Sequence, residues 1–186
     1  MVGMSSVDWQ PCVEPSARLA FGYLECPIGA LLLVGDEVGL HRISFPSGSR
    51  TVQPDPSWRK DDSLFKDAYS QLQAYFAGEM TTFNLRLCIN GTAFQQSVWR
   101  ALLEIPYGAT TSYGVLAATI GKPTASRAVG AANGANPLPL IVPCHRVIGK
   151  DRSLTGFGGG LDAKRFLLDH EQRILGRDGD QRLLAF

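Results

Sequence analysis

The run from Asn136 to Gly149 constrains this chain more than any other stretch. Pro137, Pro139 and Pro143 each remove a backbone donor and fix φ, so the run suits neither a helix interior nor a central strand. Every residue from Pro137 to Pro143 is nevertheless apolar. A stiff, apolar segment without regular structure must be buried as a loop. It ends on a thiol and an imidazole in adjacent positions, Cys144 and His145. A cysteine reacts as its thiolate, and a neighbouring histidine can take its proton or stabilise its charge, directly or through one water. A lone cysteine among apolar residues is ordinarily an inert core thiol. The proline-stiffened approach, His145-Arg146 behind the sulfur and the glycines downstream favour a reactive one.

The chain before this loop divides by pattern into two parts. Residues 1 to 17 show no period and read as a loose tail. Leu19 to Glu25, Ala30 to Val34 and Val38 to Phe45 are short β-favouring runs, with Gly35-Asp36 where a tight turn falls. Leu64, Phe65, Ala68, Tyr69, Leu72, Tyr75 and Phe76 recur at helical spacing up to Gly78, a good stop. Phe83, Leu85, Leu87 and Ile89 then alternate with Asn84, Arg86 and Cys88, the period of a half-buried strand. These features predict an N-terminal α/β module, a small antiparallel sheet plus helix, over residues 1–91.

Residues 92–186 read as a helical domain. Thr92 to Gln95 has capping-box order and opens a helix that Pro106-Tyr107-Gly108 ends. Ser112 can cap a helix bearing Leu116, Ala117 and Ile120; Gly121-Lys122-Pro123 forms a turn; Thr124 can cap a further helix from Ala125 to Asn133. Two short helices about a tight turn make a helix-turn-helix unit, common as ordinary packing and also as a DNA-binding element. The second helix carries Ala125, Ser126, Ala128, Gly130, Ala131 and Ala132, with Arg127 its large charged residue. Such small side chains let a backbone approach a groove or phosphate closely, with one arginine projecting beyond them. Thr155 to Gly160 is nearly free of side chains and leaves room for a flat ligand. A final helix from about Leu161 to Leu175, with Asp162 as candidate cap, buries Ala163, Phe166, Leu167 and His170; Glu171 on it reads as a solvated carboxylate, and the tail after Gly176 as loosely held.

Composition adds limits. A net charge of +1 offers no global field for nucleic acid, so any DNA contact must be local. Cys12, Cys26, Cys88 and Cys144 show no paired spacing, and the start lacks a secretory signal pattern, which predicts a cytoplasmic protein with reduced thiols. No apolar run reaches the roughly 20 residues of a spanning helix. A Cys-His pair with a distant carboxylate suits acyl transfer, as in a cysteine hydrolase, or alkyl transfer to sulfur. The preceding helix-turn-helix with its solitary arginine favours DNA as substrate, and chemistry on a base in duplex DNA requires that base to be rotated out of the stack.

Pro143-Cys144-His145-Arg146-Val147 after Asn136-Pro137 resembles the acceptor signature of the O6-alkylguanine-DNA alkyltransferases. Phe94-Gln95-Gln96 with Val98-Trp99, Ile105 to Gly108, Ser112-Tyr113-Gly114, Ser126 to Gly130, and Gly159-Gly160-Leu161 with Lys164 and His170-Glu171 extend the resemblance in order and spacing. The resemblance implies a ribonuclease H-like N-terminal fold and a winged-helix-like DNA-binding domain. It implies Cys144 as alkyl acceptor, His145 as base through a water, Glu171 orienting the histidine, Asn136 bracing the loop, Tyr113 acting near the flipped nucleotide and Arg127 in its vacated place. Ser126, Ala128 and Gly130 would lie on the DNA, and Val147, Phe157, Gly158 and Gly159 about the substrate. The implied reaction is irreversible, stoichiometric transfer from O6-alkylguanine in double-stranded DNA, with O4-alkylthymine as a further substrate. It needs neither cofactor nor metal, and is carried out by a monomer bound in the minor groove without sequence preference. A non-catalytic lesion binder of related type lacks the acceptor cysteine that this chain has. The chain departs at Gly158, where many relatives carry a small polar residue, which implies a roomier pocket. Arg86 and Arg152 stand where relatives often have Pro and Gly. Cys12, Cys26, Asp36 and His41 make at most an incomplete version of the zinc set some relatives use.

Overall fold

The computed structural model describes residues 8–10 and 19–183, with side chains for residues 8, 9 and 19–176. A six-stranded sheet holds β1 (Asp8–Gln10), β2 (Ala20–Cys26), β3 (Gly29–Gly35), β4 (Leu40–Ser44), β5 (Arg59–Lys60) and β6 (Arg86–Cys88), in the order β1-β6-β4-β3-β2-β5. The antiparallel trio β2-β3-β4 is the expected one. The sheet is mixed, however, because β5 joins β2, and β6 joins β4 and β1, in parallel. The expected strand over 83–89 pairs only at Arg86–Cys88, and part of the expected tail, Asp8–Gln10, is the edge strand beside it. Pairing between residues almost eighty positions apart leaves no local trace in sequence. The rest of residues 1 to 17 lies outside the described residues.

Helix α1 (Lys66–Ala77) lays Ala68, Leu72 and Tyr75 on the sheet and stops at Gly78, whose φ of 78° puts it in the left-handed region. The helical half begins with α2 (Ala93–Leu103), opened by the predicted capping box between Thr92 and Gln95. Helix α3 (Tyr113–Thr119) is capped by Ser112 as expected, and α4 (Ser126–Gly134) follows the Gly121 turn. Thr124 does not cap α4: Ala125 holds that position without a side-chain bond. Trp99 of α2 is buried and donates from Nε1 to the Ala132 carbonyl at 2.9 Å, fixing the helix-turn-helix to the core. Strands β7 (Thr111–Ser112) and β8 (Val147–Ile148) pair in parallel, Thr111 with Val147 and Ser112 with Ile148, which ties the start of α3 to the chain just past Cys144.

The last helix, α5 (Leu161–Leu183), runs through Gly176 rather than stopping there. Gly176 and Gly179 each cost only about 1 kcal/mol relative to alanine in a helix, and no proline follows them. Asp162 lies inside the first turn and does not cap the helix. Among the described residues no helix is long and apolar enough to cross a membrane. Cys88 is engaged in a disulfide, a departure from the expected free thiols. Arg152 sits at φ 66°, a left-handed turn position that ordinarily favours glycine.

Candidate active site

The predicted buried loop is what the structure contains: residues 138–147 are buried without a break. Leu140 holds φ at 84°, and the loop is braced from within by Asn136, whose Nδ2 donates to the Val142 carbonyl at 2.7 Å and whose Oδ1 accepts from Leu138 N at 3.0 Å. Cys144–Arg146 forms one 3-10 turn, so its three side chains leave in different directions from one point. Cys144 is 3% exposed, His145 0%.

Glu171 is the hub on the far side of His145, and it is wholly buried, not solvated. Its Oε1 lies 2.8 Å from His145 Nε2 and accepts the Tyr75 hydroxyl at 2.9 Å. Arg146 grips both oxygens, Nε to Oε2 at 3.0 Å and Nη2 to Oε1 at 3.0 Å, and Nη1 donates to the Ile105 carbonyl at 2.7 Å. The Gly108 N–H reaches Oε2 at 2.8 Å. Gly108 has φ 71°, a left-handed value that strains any side chain, so glycine suits the backbone conformation that brings its N–H to the carboxylate. A carboxylate bonded this way is ionised and acceptor-only, hence the His145 proton sits on Nε2 and Nδ1 is the free base. Nδ1 is buried and has no partner among the described residues.

Tyr113 stands at the start of α3 with its hydroxyl donating to the Thr155 carbonyl at 3.2 Å and its ring over Gly130 of α4. Lys164 is fully buried; its Nζ donates to the Val147 carbonyl at 2.7 Å and the Thr155 carbonyl at 2.6 Å, tying the acceptor turn to the glycine loop. A pocket reaches Cys144 between Asn133, Asn136 and Pro139 on one side and Gly158 and Gly159 on another, with Arg42, Phe45 and Arg50 of the sheet half completing it. Val147 and Phe157, expected around the substrate, are buried in the core that also holds Cys144, and Phe157 meets the pocket-lining Phe45 edge-on at 5.2 Å. Arg127 and Ala128 are exposed on α4, and Ser126 and Gly130 are half-buried, so the expected DNA-facing residues share one short helix.

Residues 93–173 match the family model of the 6-O-methylguanine DNA methyltransferase DNA-binding domain, and residues 19–89 that of its ribonuclease-like domain. The chain is 52% identical over 151 residues to a methylated-DNA–protein-cysteine methyltransferase of Methanosarcina acetivorans, covering 81% of this chain and 97% of that one. It is 51% identical over 150 residues to the protein of that name from Mycobacterium tuberculosis, covering 80% and 90%. The solved O6-methylguanine methyltransferase of M. tuberculosis superposes with a TM-score of 0.77 at 49% identity, covering 83% and 93%, and the same organism's OGT in complex with DNA with 0.77 at 47%, covering 84% and 94%. The chain belongs to the methylated-DNA–protein-cysteine methyltransferase family.

As a member of that family it is a DNA-repair transferase that moves an alkyl group onto a protein cysteine. Burial dominates the electrostatics of its candidate site. Burial pushes the Cys144 thiol up, to about 11, against the opposing pull of the Asn136 side chain, the Lys164 charge and nearby backbone N–H groups. The resting sulfur is therefore protonated. Burial likewise lowers His145, keeping it neutral, and lowers Lys164 to about 8. Burial alone would raise Glu171, but the His145 hydrogen bond and the Arg146 charge hold it down at about 2. Tyr113 is raised by burial and stays a hydroxyl donor.

These shifts fix an acid-stability window. His145 is depressed below its ordinary value of about 6.5, and Glu171 below about 4.3, so the unfolded chain binds more protons than the folded one as pH falls through both. The melting temperature of this methyltransferase is expected to fall from pH 7 to pH 3, beginning below about 6.5 and steepening below about 4.3. Thermal melts across that range check this; a flat profile contradicts the buried hub.

Sequence reasoning passed over Tyr75, Gly108, Arg146 and Lys164 as site residues. One signal was present: Lys164, Leu167, Glu171 and Ile174 repeat at helical spacing, and all four are buried. Of the incomplete zinc set, Cys12 is outside the described residues, Cys26 bonds the Gly29 carbonyl, and His41 pairs with Asp36 at 3.0 Å. No cluster of three or more potential ligands occurs among the described residues.

Proposed function

We propose that Cys144 is the alkyl acceptor in direct reversal of O6-alkylguanine in double-stranded DNA, each chain acting once. The observation that carries this is the buried line from Glu171 through His145 to the turn bearing Cys144, in which the carboxylate leaves Nδ1 as the basic nitrogen. The flipped base enters the Cys144 pocket and the sulfur attacks the alkyl carbon. The thiol proton leaves toward Nδ1, through one water, as the S–C bond forms. The O6–C bond breaks and its electron pair departs on guanine. The Tyr113 hydroxyl, now on the Thr155 carbonyl, turns its hydrogen bond to the purine where that charge develops. His145 becomes an imidazolium held by ionised Glu171. A resting thiol suits this order, because the proton need leave only when the electrophile is in place. The thioether product is not reversed by thiol exchange, so no step regenerates the acceptor.

DNA lies along α4 with Arg127 filling the place of the extruded nucleotide. The small residues Ser126, Ala128 and Gly130 let the helix approach a minor groove without reading bases. The protein acts as a cytoplasmic monomer, its two domains dividing between Gly91 and Thr92, on any sequence carrying the lesion and on O4-alkylthymine as well. With an excess of methylated duplex, repaired guanine is expected to plateau at one equivalent per chain. Continued turnover, as from a cysteine hydrolase, would overturn single use. The absence of a side chain at Gly158 predicts that free O6-benzylguanine reacts, blocking later methyl transfer; no such block would show the pocket to be methyl-sized.

A further inference from the structure

We propose that Arg42 and Arg50 seat a backbone phosphate of the lesion-bearing strand, so that the ribonuclease-like domain forms part of the DNA-binding surface. The inference rests on the DNA-repair reading above and adds a second DNA contact to it. Arg42, half-buried on β4, and Arg50, exposed on the following loop, border the same pocket as Cys144. Neither guanidinium has an ion pair or side-chain hydrogen bond among the described residues. Two cations facing one pocket without a carboxylate oppose each other, and Arg42 feels both its burial and Arg50. An anion held between them removes that opposition and gains charge-assisted hydrogen bonds.

Placement points to phosphate. The same pocket is walled by Asn133, Gly134 and Ala135, the C-terminal end of α4, whose other end carries Arg127. Seven residues of helix span roughly 10 Å. One DNA strand advances about 3.4 Å along the axis per nucleotide, so the pair lies within about three nucleotides of the extruded position. Arg50 is also fixed to the substrate loop: its N–H donates to the Gly158 carbonyl at 3.1 Å, and a Cβ on Gly158 would press its Cγ at 2.8 Å. Gly48 packs so tightly on Gly158–Gly160 that no side chain fits there. With a net charge of only +1, sequence-independent affinity must come from cations placed in this way.

The test uses the full chain with Arg50→Ala, Arg42→Ala/Arg50→Ala and the double lysine variant, each checked by thermal melt. Undamaged-duplex affinity is measured against salt, and single-turnover alkylation is compared on methylated duplex and free O6-benzylguanine. The double alanine variant is expected to bind duplex about tenfold more weakly, with the salt slope reduced by about one per arginine, and lysine to retain most of the slope. Its rate on duplex falls about tenfold more than its rate on the free base. Unchanged affinity and slope in the exposed Arg50→Ala and double variants, or equal losses on both substrates, would overturn the phosphate seat. Failure of the wild type to be alkylated by methylated duplex would instead strike the repair reading itself.

Discussion

Glu171→Gln is expected to slow alkyl transfer by about two orders of magnitude or more and to lower stability by about 3–5 kcal/mol, because it removes the counter-charge of a buried arginine and the acceptor that sets the histidine tautomer. The carboxylate takes bonds from Tyr75, Gly108, His145 and Arg146. A neutral amide has one oxygen and must turn an N–H toward one of those donors. Arg146, 6% exposed and otherwise held among the described residues by the Ile105 carbonyl and the Tyr107 ring, keeps its charge without a counter-ion. Tyr75→Phe is the scale for comparison: it deletes one hydroxyl of the same hub and is expected to cost about 1 kcal/mol, with a modest loss of rate. Urea unfolding and single-turnover kinetics on methylated duplex measure both. A Glu171→Gln protein with ordinary stability and rate would remove the hub from the account.

The second large effect is expected at Arg127. Extruding a base costs a few kcal/mol, and each 1.36 kcal/mol is about a factor of ten in rate, so with Arg127 filling the gap as proposed, losing its side chain should slow reaction on duplex by about a hundredfold. Arg127 is exposed at the start of α4, so Arg127→Ala should leave the melting temperature near that of the wild type. Reaction with free O6-benzylguanine, which needs no extrusion, should fall far less, and a substrate whose lesion faces a mismatch should recover part of the loss. Equal losses on duplex and free base would assign Arg127 to the pocket instead of the groove.

Local chemistry made much of this legible beforehand. Thr92 with Gln95 and Ser112 marked helix starts because caps act within three residues, and Gly78 marked a stop because it alone tolerates the left-handed turn there. The three prolines announced the buried loop. Convergence across the chain was less legible. Glu171 reads as solvated because helical carboxylates usually are, and only Arg146, Tyr75 and Gly108, supplied by three other segments, make its burial tolerable. The parallel pairing of Asp8–Gln10 with Arg86–Cys88 has the same character. The protonation of Cys144 has the same character: adjacency to histidine is visible in sequence, whereas complete burial, the first cause of its raised pKa, is not.

Mass analysis of the intact chain and its peptides, after incubation with duplex DNA bearing O6-methylguanine, addresses the central claim. Each chain is expected to gain the mass of one methylene, placed on the peptide containing Cys144, with no gain in Cys144→Ser. A chain that gains nothing, or whose added group maps to another residue such as Cys26, would contradict the assignment of Cys144 as the acceptor.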